Sequence, residues 1–182
     1  YLSASTERAD FRQGSVDVAI RHGKGPYREL YQCWLFGEEF FPVCGPELAS
    51  GLATPDDLRH VTLLHDQHDD DDPLDWPDWP AWLQAAGVAG IDATRGPQFS
   101  DAAMMIQSAV AGQGVALART ALVADDLAAG RLVRPFALAL PSDWAYWFLC
   151  EQAAAERPKI RAFRDWLIAE AERYRGDQEG RR

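Results

Sequence analysis

Few residues in this chain combine side chains and spacing suited to chemistry, and those that do fall in short clusters. Ser100-Asp101 heads the stretch Gln98 to Arg119, QFSDAAMMIQSAVAGQGVALAR. Either side chain can accept hydrogen bonds from the unpaired N–H groups of a first helical turn. Such a helix end is also a place where a small anion or polar ligand can sit. Both uses stay open for Ser100. His65-Asp66, followed by His68 and Asp69 to Asp72, offers nitrogen and oxygen donors to a metal. The spacing of an EF-hand loop and the paired-histidine helix motif are absent, and consecutive aspartates repel one another onto a solvated loop. We therefore expect no metal and no cofactor. Ser100, His65 and Asp101 are the residue types of a hydrolase, but no G-x-S-x-G elbow is present and nothing fixes an oxyanion hole. The chain does not read as an enzyme. Gly23-Lys24-Gly25-Pro26 lacks the spacing and the following helix of a phosphate loop and reads as a turn. Cys33, Cys44 and Cys150 are an odd set without a CxxC pair, in apolar strand-like runs. That pattern predicts buried reduced thiols in a cytosolic protein, with no activating base identified.

These clusters need elements to hold them. Within Gln98–Arg119, Ala102, Met105, Ile106, Ala109 and Val110 recur at helical spacing and predict one buried face. Gly112 is placed to end that helix in the left-handed conformation, and Gly114 opens the strand run Val115 to Ala118. Upstream, Tyr1 to Ala4 alternates like a strand and Glu7 to Gln13 reads as a short helix ended by Gly14. Val16 to Ile20 reads as a buried strand broken by Arg21-His22-Gly23. Tyr31 to Cys44 is long for one strand, and Pro42 limits its pairing, so it is expected to run from one sheet to another. Pro46 to Ala49 predicts a helical turn, Thr54 to Leu58 a capped short helix, and Val61 to Leu64 a buried strand ending at His65-Asp66. Asp78 caps a helix to about Ala86, stopped by Gly87, and Ala121 to Ala129 is a helix ended by Gly130. Leu132 to Phe136 and Trp144 to Cys150 are apolar runs flanking a turn at Pro141-Ser142-Asp143. The last helix starts near Pro158, with Ile160, Phe163, Leu167, Ala171 and Tyr174 on one apolar face, and order fades from Arg175 onward.

Strands alternate with helices almost throughout, which is the pattern of an α/β protein with parallel sheets and crossover helices. The long stretches Tyr31–Cys44 and Leu132–Cys150 predict two lobes joined twice, with ligands at the carboxyl ends of the strands and in the cleft between lobes. We divide the chain into lobe I, residues 1–42 plus 143–175, lobe II, residues 43–142, and a disordered tail, residues 176–182. With 47% hydrophobic and 25% charged residues, the composition is that of an ordinary globular protein. A net charge of −10 excludes a surface built to grip a phosphate backbone. No run approaches the roughly 18 apolar residues of a membrane span, no signal-peptide pattern opens the chain, and both ends read as cuts.

The runs GSVDVAIRHGKGP, LFGEEFFPVCGPELA, DWPAWLQAAG, FSDAAMMIQSAVAGQGVALA, AAGRLVRPF and AYWFLC follow one another in continuous order from about residue 1 to residue 172. Together they resemble the effector-binding (substrate-binding) domain of LysR-type transcriptional regulators, in the branch of the glycine-cleavage activator and the β-lactamase regulator. The resemblance implies a bacterial, cytoplasmic protein. It implies two Rossmann-like lobes joined by two crossover segments in a type 2 periplasmic-binding-protein-like arrangement. It also implies that a winged helix-turn-helix and a linker helix precede this stretch in the parent protein, and that lobe I is truncated at its N-terminal side. Carried over residue by residue, the implied effector contacts are Ser3, Ser5, Thr6 and Arg21 from lobe I, His65, Asp66, Ser100 and Asp101 from lobe II, and Tyr146 in the AYW stretch. Each has a plainer use. Ser100 can simply cap its helix, Arg21 can pair with a carboxylate, His65 can be a loop or core histidine, and Tyr146 alternates with Trp147 so that one of them is core.

The reading that follows is a small-molecule sensor domain for transcription, working as a homodimer or tetramer through lobe I–lobe II packing and reaching DNA only through a separate N-terminal domain. An arginine, several hydroxyls and a helix N-terminus suit a carboxylate or other small polar anion, with Trp76, Trp79 or Tyr146 for an apolar part. The alternative is a solute-binding protein of a transport system with the same fold, which unpaired cysteines disfavour in an oxidising compartment.

Overall fold

The computed structural model describes residues 1–4, 9–11, 16–67 and 77–179. The described chain divides into two compact units, one of Tyr1–Gly37 with Asp143–Arg182 and one of Glu38–Ser142. Two long strands, β2 (Leu30–Val43) and β6 (Leu140–Glu151), contribute to both.

The second unit is layered on β5 (Val115–Arg119), whose residues Val115 to Ala118 are all buried. It lies between the distal half of β2, antiparallel with Phe40 opposite Arg119, and β3 (Leu63–Asp66), parallel with Leu63 opposite Val115. β4 (Gln98–Phe99) adds a parallel edge, Asp66 opposite Phe99. Side chains alternate across a strand, so a strand covered on both faces must be apolar at every position. Val115 and Leu117 join one core with Phe40, Leu63, Trp79 and Trp82, whereas Ala116 and Ala118 join the other with Phe41, Val43, Met105 and Ile106. The first core is covered by α2 (Trp79–Ala85) and a 3-10 turn at Pro55–His60, the second by α3 (Ala102–Val110) and α4 (Thr120–Ala128). Fully buried Trp82 stacks at 5.6 Å on Phe136 and donates its indole N–H to the Leu138 carbonyl. Burial of such a ring contributes on the order of 4–6 kcal/mol before entropy is counted.

The helix boundaries follow from local chemistry. Asp78 accepts from the Ala81 N–H at 2.8 Å, and Asp101 from the Ala103 N–H at 2.7 Å. α3 stops where Gly112, at φ 73°, lets its own N–H reach Ala109 and that of Gln113 reach Ser108, closing the last turn. A helical turn, α1 (Pro46–Ala49), and the capping box of Thr54 and Asp57 lie where the sequence places them.

The first unit holds β1 (Ala19–Gly23), antiparallel to β6 with Ala19 opposite Leu149, together with the start of β2 and α5 (Pro158–Glu179). Its core is Leu35, Phe148, Cys150, Ala154, Ala155, Ile160 and Ala171.

Several expectations are corrected here. The strands are parallel within β5-β3-β4, but β2 meets β5 and β6 meets β1 in antiparallel ladders. Tyr1 to Ala4 is exposed coil, not a strand, and of the helix expected at Glu7–Gln13 only residues 9–11 are described, as coil and a turn. β1 begins later than expected and takes in Arg21 and His22. Pro141-Ser142-Asp143 runs straight through β6 instead of turning, and Leu132–Phe136 supplies only a bridge from Val133 to Cys44. α5 continues to Glu179, past the point where order was expected to fade, and its Phe163 stands 39% exposed, stacked on Trp166. Cys44 and Cys150 are buried thiols, whereas Cys33 is only partly covered.

Candidate functional site

The parallel strands β3, β4 and β5 all end on one edge of the second unit, and a cavity of about 390 Å³ opens there. The end of β3 contributes Leu64, His65, Asp66 and Gln67, the start of α2 contributes Asp78 and Trp79, and the end of β5 contributes Arg119. Phe40, Met105, Leu117 and Leu122 supply apolar wall, and Thr94 and Gln98 supply polar rim.

Each wall is held by its neighbours. Trp79, 2% exposed, donates its indole N–H to the Leu64 carbonyl at 3.0 Å, which fixes the head of α2 against β3. The segment Asp92–Pro97 is laid along β3. His65 N–H donates to Pro97 at 3.1 Å, and His65 Nε2 lies 3.3 Å from the Arg95 carbonyl. That approach requires Gly96, since a Cβ there would fall 1.9 Å from the Leu63 carbonyl oxygen. Asp92 takes the Thr94 hydroxyl at 2.7 Å and its N–H at 3.0 Å, and these bonds, the hydroxyl first, hold its carboxyl below the usual carboxylate range. Gln67 N–H donates to Phe99 at 2.7 Å, so the ends of β3 and β4 stay in register.

Of the residues expected to meet an effector, His65 and Asp66 line this cavity. Ser100 and Asp101 are exposed where β4 passes into α3, on the same strand-end edge but outside the cavity lining. Asp101, not Ser100, takes the cap. Ser3, Arg21 and Tyr146 belong to the first unit. Ser3 is exposed coil, and Arg21 lies within β1 opposite Trp147 and is not in a turn. The Tyr146 ring is packed at 4.8 Å from His22 and 4.7 Å from Phe36, while the Trp147 indole donates to the Gly23 carbonyl at 2.9 Å. Ser5, Thr6, Trp76, His68 and Asp69–Asp72 lie outside the described residues. No triad forms from Ser100, His65 and Asp101, because His65 Nε2 is engaged with Arg95 and the Asp101 carboxylate with its own helix. Among the described residues, no group of metal-ligating side chains is gathered. Arg119 is a cavity-lining residue that motif reading overlooked. It ends a buried strand at its carboxyl side, and that position was the available signal.

A family model described as the LysR substrate binding domain matches residues 2–172. The chain belongs to that family. The chain is similar to the glycine cleavage system transcriptional activator of Escherichia coli, 39% identical over 173 residues, which cover 93% of this chain and 54% of the relative. It is 36% identical over 168 residues to the transcriptional activator AmpR of Pseudomonas aeruginosa, covering 92% of this chain and 54% of the relative. The chain thus spans about half the length of the curated relatives it matches. The solved effector domain of that Pseudomonas aeruginosa regulator aligns with a TM-score of 0.74 at 35% identity, over 97% of this chain and 82% of that one. The fold is the periplasmic-binding-protein-like α/β fold of LysR-type regulatory domains. No helix among the described residues is long and apolar enough to cross a membrane.

Proposed function

We propose that this chain is the effector-sensing domain of a bacterial, cytoplasmic transcription regulator of the LysR type. It binds a small polar molecule carrying an anionic group, and it relays occupancy to a separate helix-turn-helix domain that contacts DNA. The observation that carries the reading is the coincidence of a family match across residues 2–172 with a cavity at the carboxyl ends of parallel strands, where ligands of open α/β sheets bind. His65, Asp66 and Arg119 form the second unit's share of the effector site, with Ser100 and Asp101 on its flank. Ser3, Ser5, Thr6, Arg21 and Tyr146 are the contacts that the family resemblance implies for lobe I. The regulator works as a homodimer or tetramer through lobe I–lobe II packing, and neither membrane association nor catalysis is part of its role. The curated relatives are transcriptional activators, which supports this reading over a transport solute-binding protein.

The test uses the full-length regulator in its own host. Deleting its gene should change transcription of a small set of operons, and the purified protein should footprint upstream of them. Loss of uptake of a solute with no transcriptional change and no footprint would favour the transport reading instead.

A further inference from the structure

We propose that the effector is a zwitterion, a small molecule of the α-amino acid class, with its ammonium group at His65-Asp66 and its carboxylate at Arg119. This rests on the reading of the second-unit cavity as the effector site.

The β3 end of the cavity is an acceptor end. His65 Nε2 lies 3.3 Å from the Arg95 carbonyl oxygen, and a carbonyl oxygen only accepts, so the proton of a neutral ring sits on Nε2. That leaves Nδ1 as an acceptor. Asp66, the next residue and also in the lining, adds a carboxylate. An acceptor nitrogen beside a carboxylate selects a donor-rich cation from the ligand. The β5 end is the opposite. Arg119 brings a planar fork of N–H donors that matches a carboxylate.

The spacing suits one small molecule. β3 and β5 are parallel neighbours with Leu64 level with Ala116, and continuing that register sets His65 level with Leu117, which shares its face with Arg119 two residues on, while Asp66 lines the cavity at the very end of β3. Adjacent strands are about 4.8 Å apart and residues two apart along a strand about 6.7 Å, so His65 and Arg119 are rooted roughly 8 Å apart on one face, a gap that their side chains and the head group of an amino acid fill. Asp66 and Arg119 also interact with other groups in the protein. A carboxylate has about four acceptor positions and a guanidinium five donors, so ligand contact adds to such bonds and does not require their absence. The rest of the wall, Phe40, Leu64, Trp79, Leu117 and Leu122, is apolar and takes a hydrocarbon side chain. The volume, about 390 Å³, is at the small end of the roughly 300–1,000 Å³ of ligand pockets. Asp66 opposes a ligand that is only anionic.

The test compares leucine with 4-methylpentanoate and 3-methylbutylamine, which are the same skeleton without the ammonium and without the carboxylate. Calorimetric titration and thermal shift of the whole chain give the readout. Leucine, or another of the common amino acids, should bind and raise the melting temperature, and the matched acid and amine should not. Asp66→Asn and Arg119→Gln should each weaken that binding by about tenfold or more, with the unliganded melting temperature and circular dichroism as the check on folding. If the matched acid binds as well as the amino acid, with Arg119 still required, the zwitterion is overturned and the cavity stands as the site. If an amino acid binds but ignores both variants, the cavity is the wrong site and the reading beneath the proposal fails with it. If none of the common amino acids binds, the proposal is overturned, and the footprint experiment still decides the regulator on its own.

Discussion

Replacing Gly96 by alanine tests how the cavity wall is built. Gly96 has φ 143°, a conformation that costs a residue with a side chain about 1–3 kcal/mol. The added Cβ would stand 1.9 Å from the Leu63 carbonyl oxygen, 3.1 Å from its carbon and 3.2 Å from His65 Cδ2. Backbone atoms of a paired strand cannot swing aside as a flexible side chain does, so overpacking adds about another 1–3 kcal/mol. The sum is roughly 2–6 kcal/mol, a large share of the 5–15 kcal/mol that holds an ordinary domain folded. At about 2–4 °C per kcal/mol for a chain of this size, the melting temperature should fall by roughly 4–24 °C. Gly90→Ala is the control, since Gly90 also has positive φ, 77°, but nothing lies within 4 Å of a Cβ there. It should cost only the conformational part, about 1–2 kcal/mol. Urea unfolding of the two variants side by side gives the comparison. If Gly96→Ala proves as mild as Gly90→Ala, the Asp92–Pro97 segment is not pinned to β3 and the account of the cavity wall is wrong.

Trp82→Ala should destabilise by about 3–5 kcal/mol through the cavity it leaves, and Trp82→Phe by less; urea midpoints measure both. Asp101→Ala should cost about 1 kcal/mol through loss of the α3 cap, which the urea midpoint checks. Asp57 and Asp92 both have carboxyls held below the ordinary range, Asp57 chiefly by the Thr54 N–H and Asp92 chiefly by the Thr94 hydroxyl. A depressed folded pKa gives stability that is present above about pH 4 and lost as pH falls through the folded value. The Asp57→Asn, Asp92→Asn double variant should therefore lose stability less steeply than the parent below about pH 4, as followed by unfolding at stepped pH. Burial pushes the Cys44 thiol up to about 11 and the Cys150 thiol upward as well. At pH 8 a thiol reagent should therefore label Cys33 in the folded chain, and Cys44 and Cys150 only after denaturation.

What could be read from the sequence was what local chemistry decides. Asp78, Thr54 and Gly112 act within one or two turns of themselves, and their helices start and stop where they require. The continuous apolar run at Val115–Ala118 announced a strand covered on both faces. What could not be read was pairing. Leu140 to Glu151 contains the turn-like triplet Pro141-Ser142-Asp143, yet it stays extended in β6, where tertiary pairing overrides local turn preference. The same override carries Arg21 into a strand opposite Trp147.

The candidate site divides along the same line. That ligands gather at the carboxyl ends of parallel strands was legible, and the family resemblance implied His65-Asp66 and Ser100-Asp101, of which the first pair lines the cavity. Which of these side chains face the cavity depends on register and on the Gly96 approach, neither of which is local. The parallel block β5-β3-β4 brings the polar residues that close its apolar runs, Asp66 and Arg119, to one edge. The antiparallel partner β2 adds Phe40 opposite Arg119, with Glu39 just before it bonded through N–H and carbonyl to the Thr120 hydroxyl at 3.3 and 3.2 Å. Arg119 of the cavity lining is therefore adjacent in sequence to Thr120, the residue that ties α4 to the segment where β2 joins this unit.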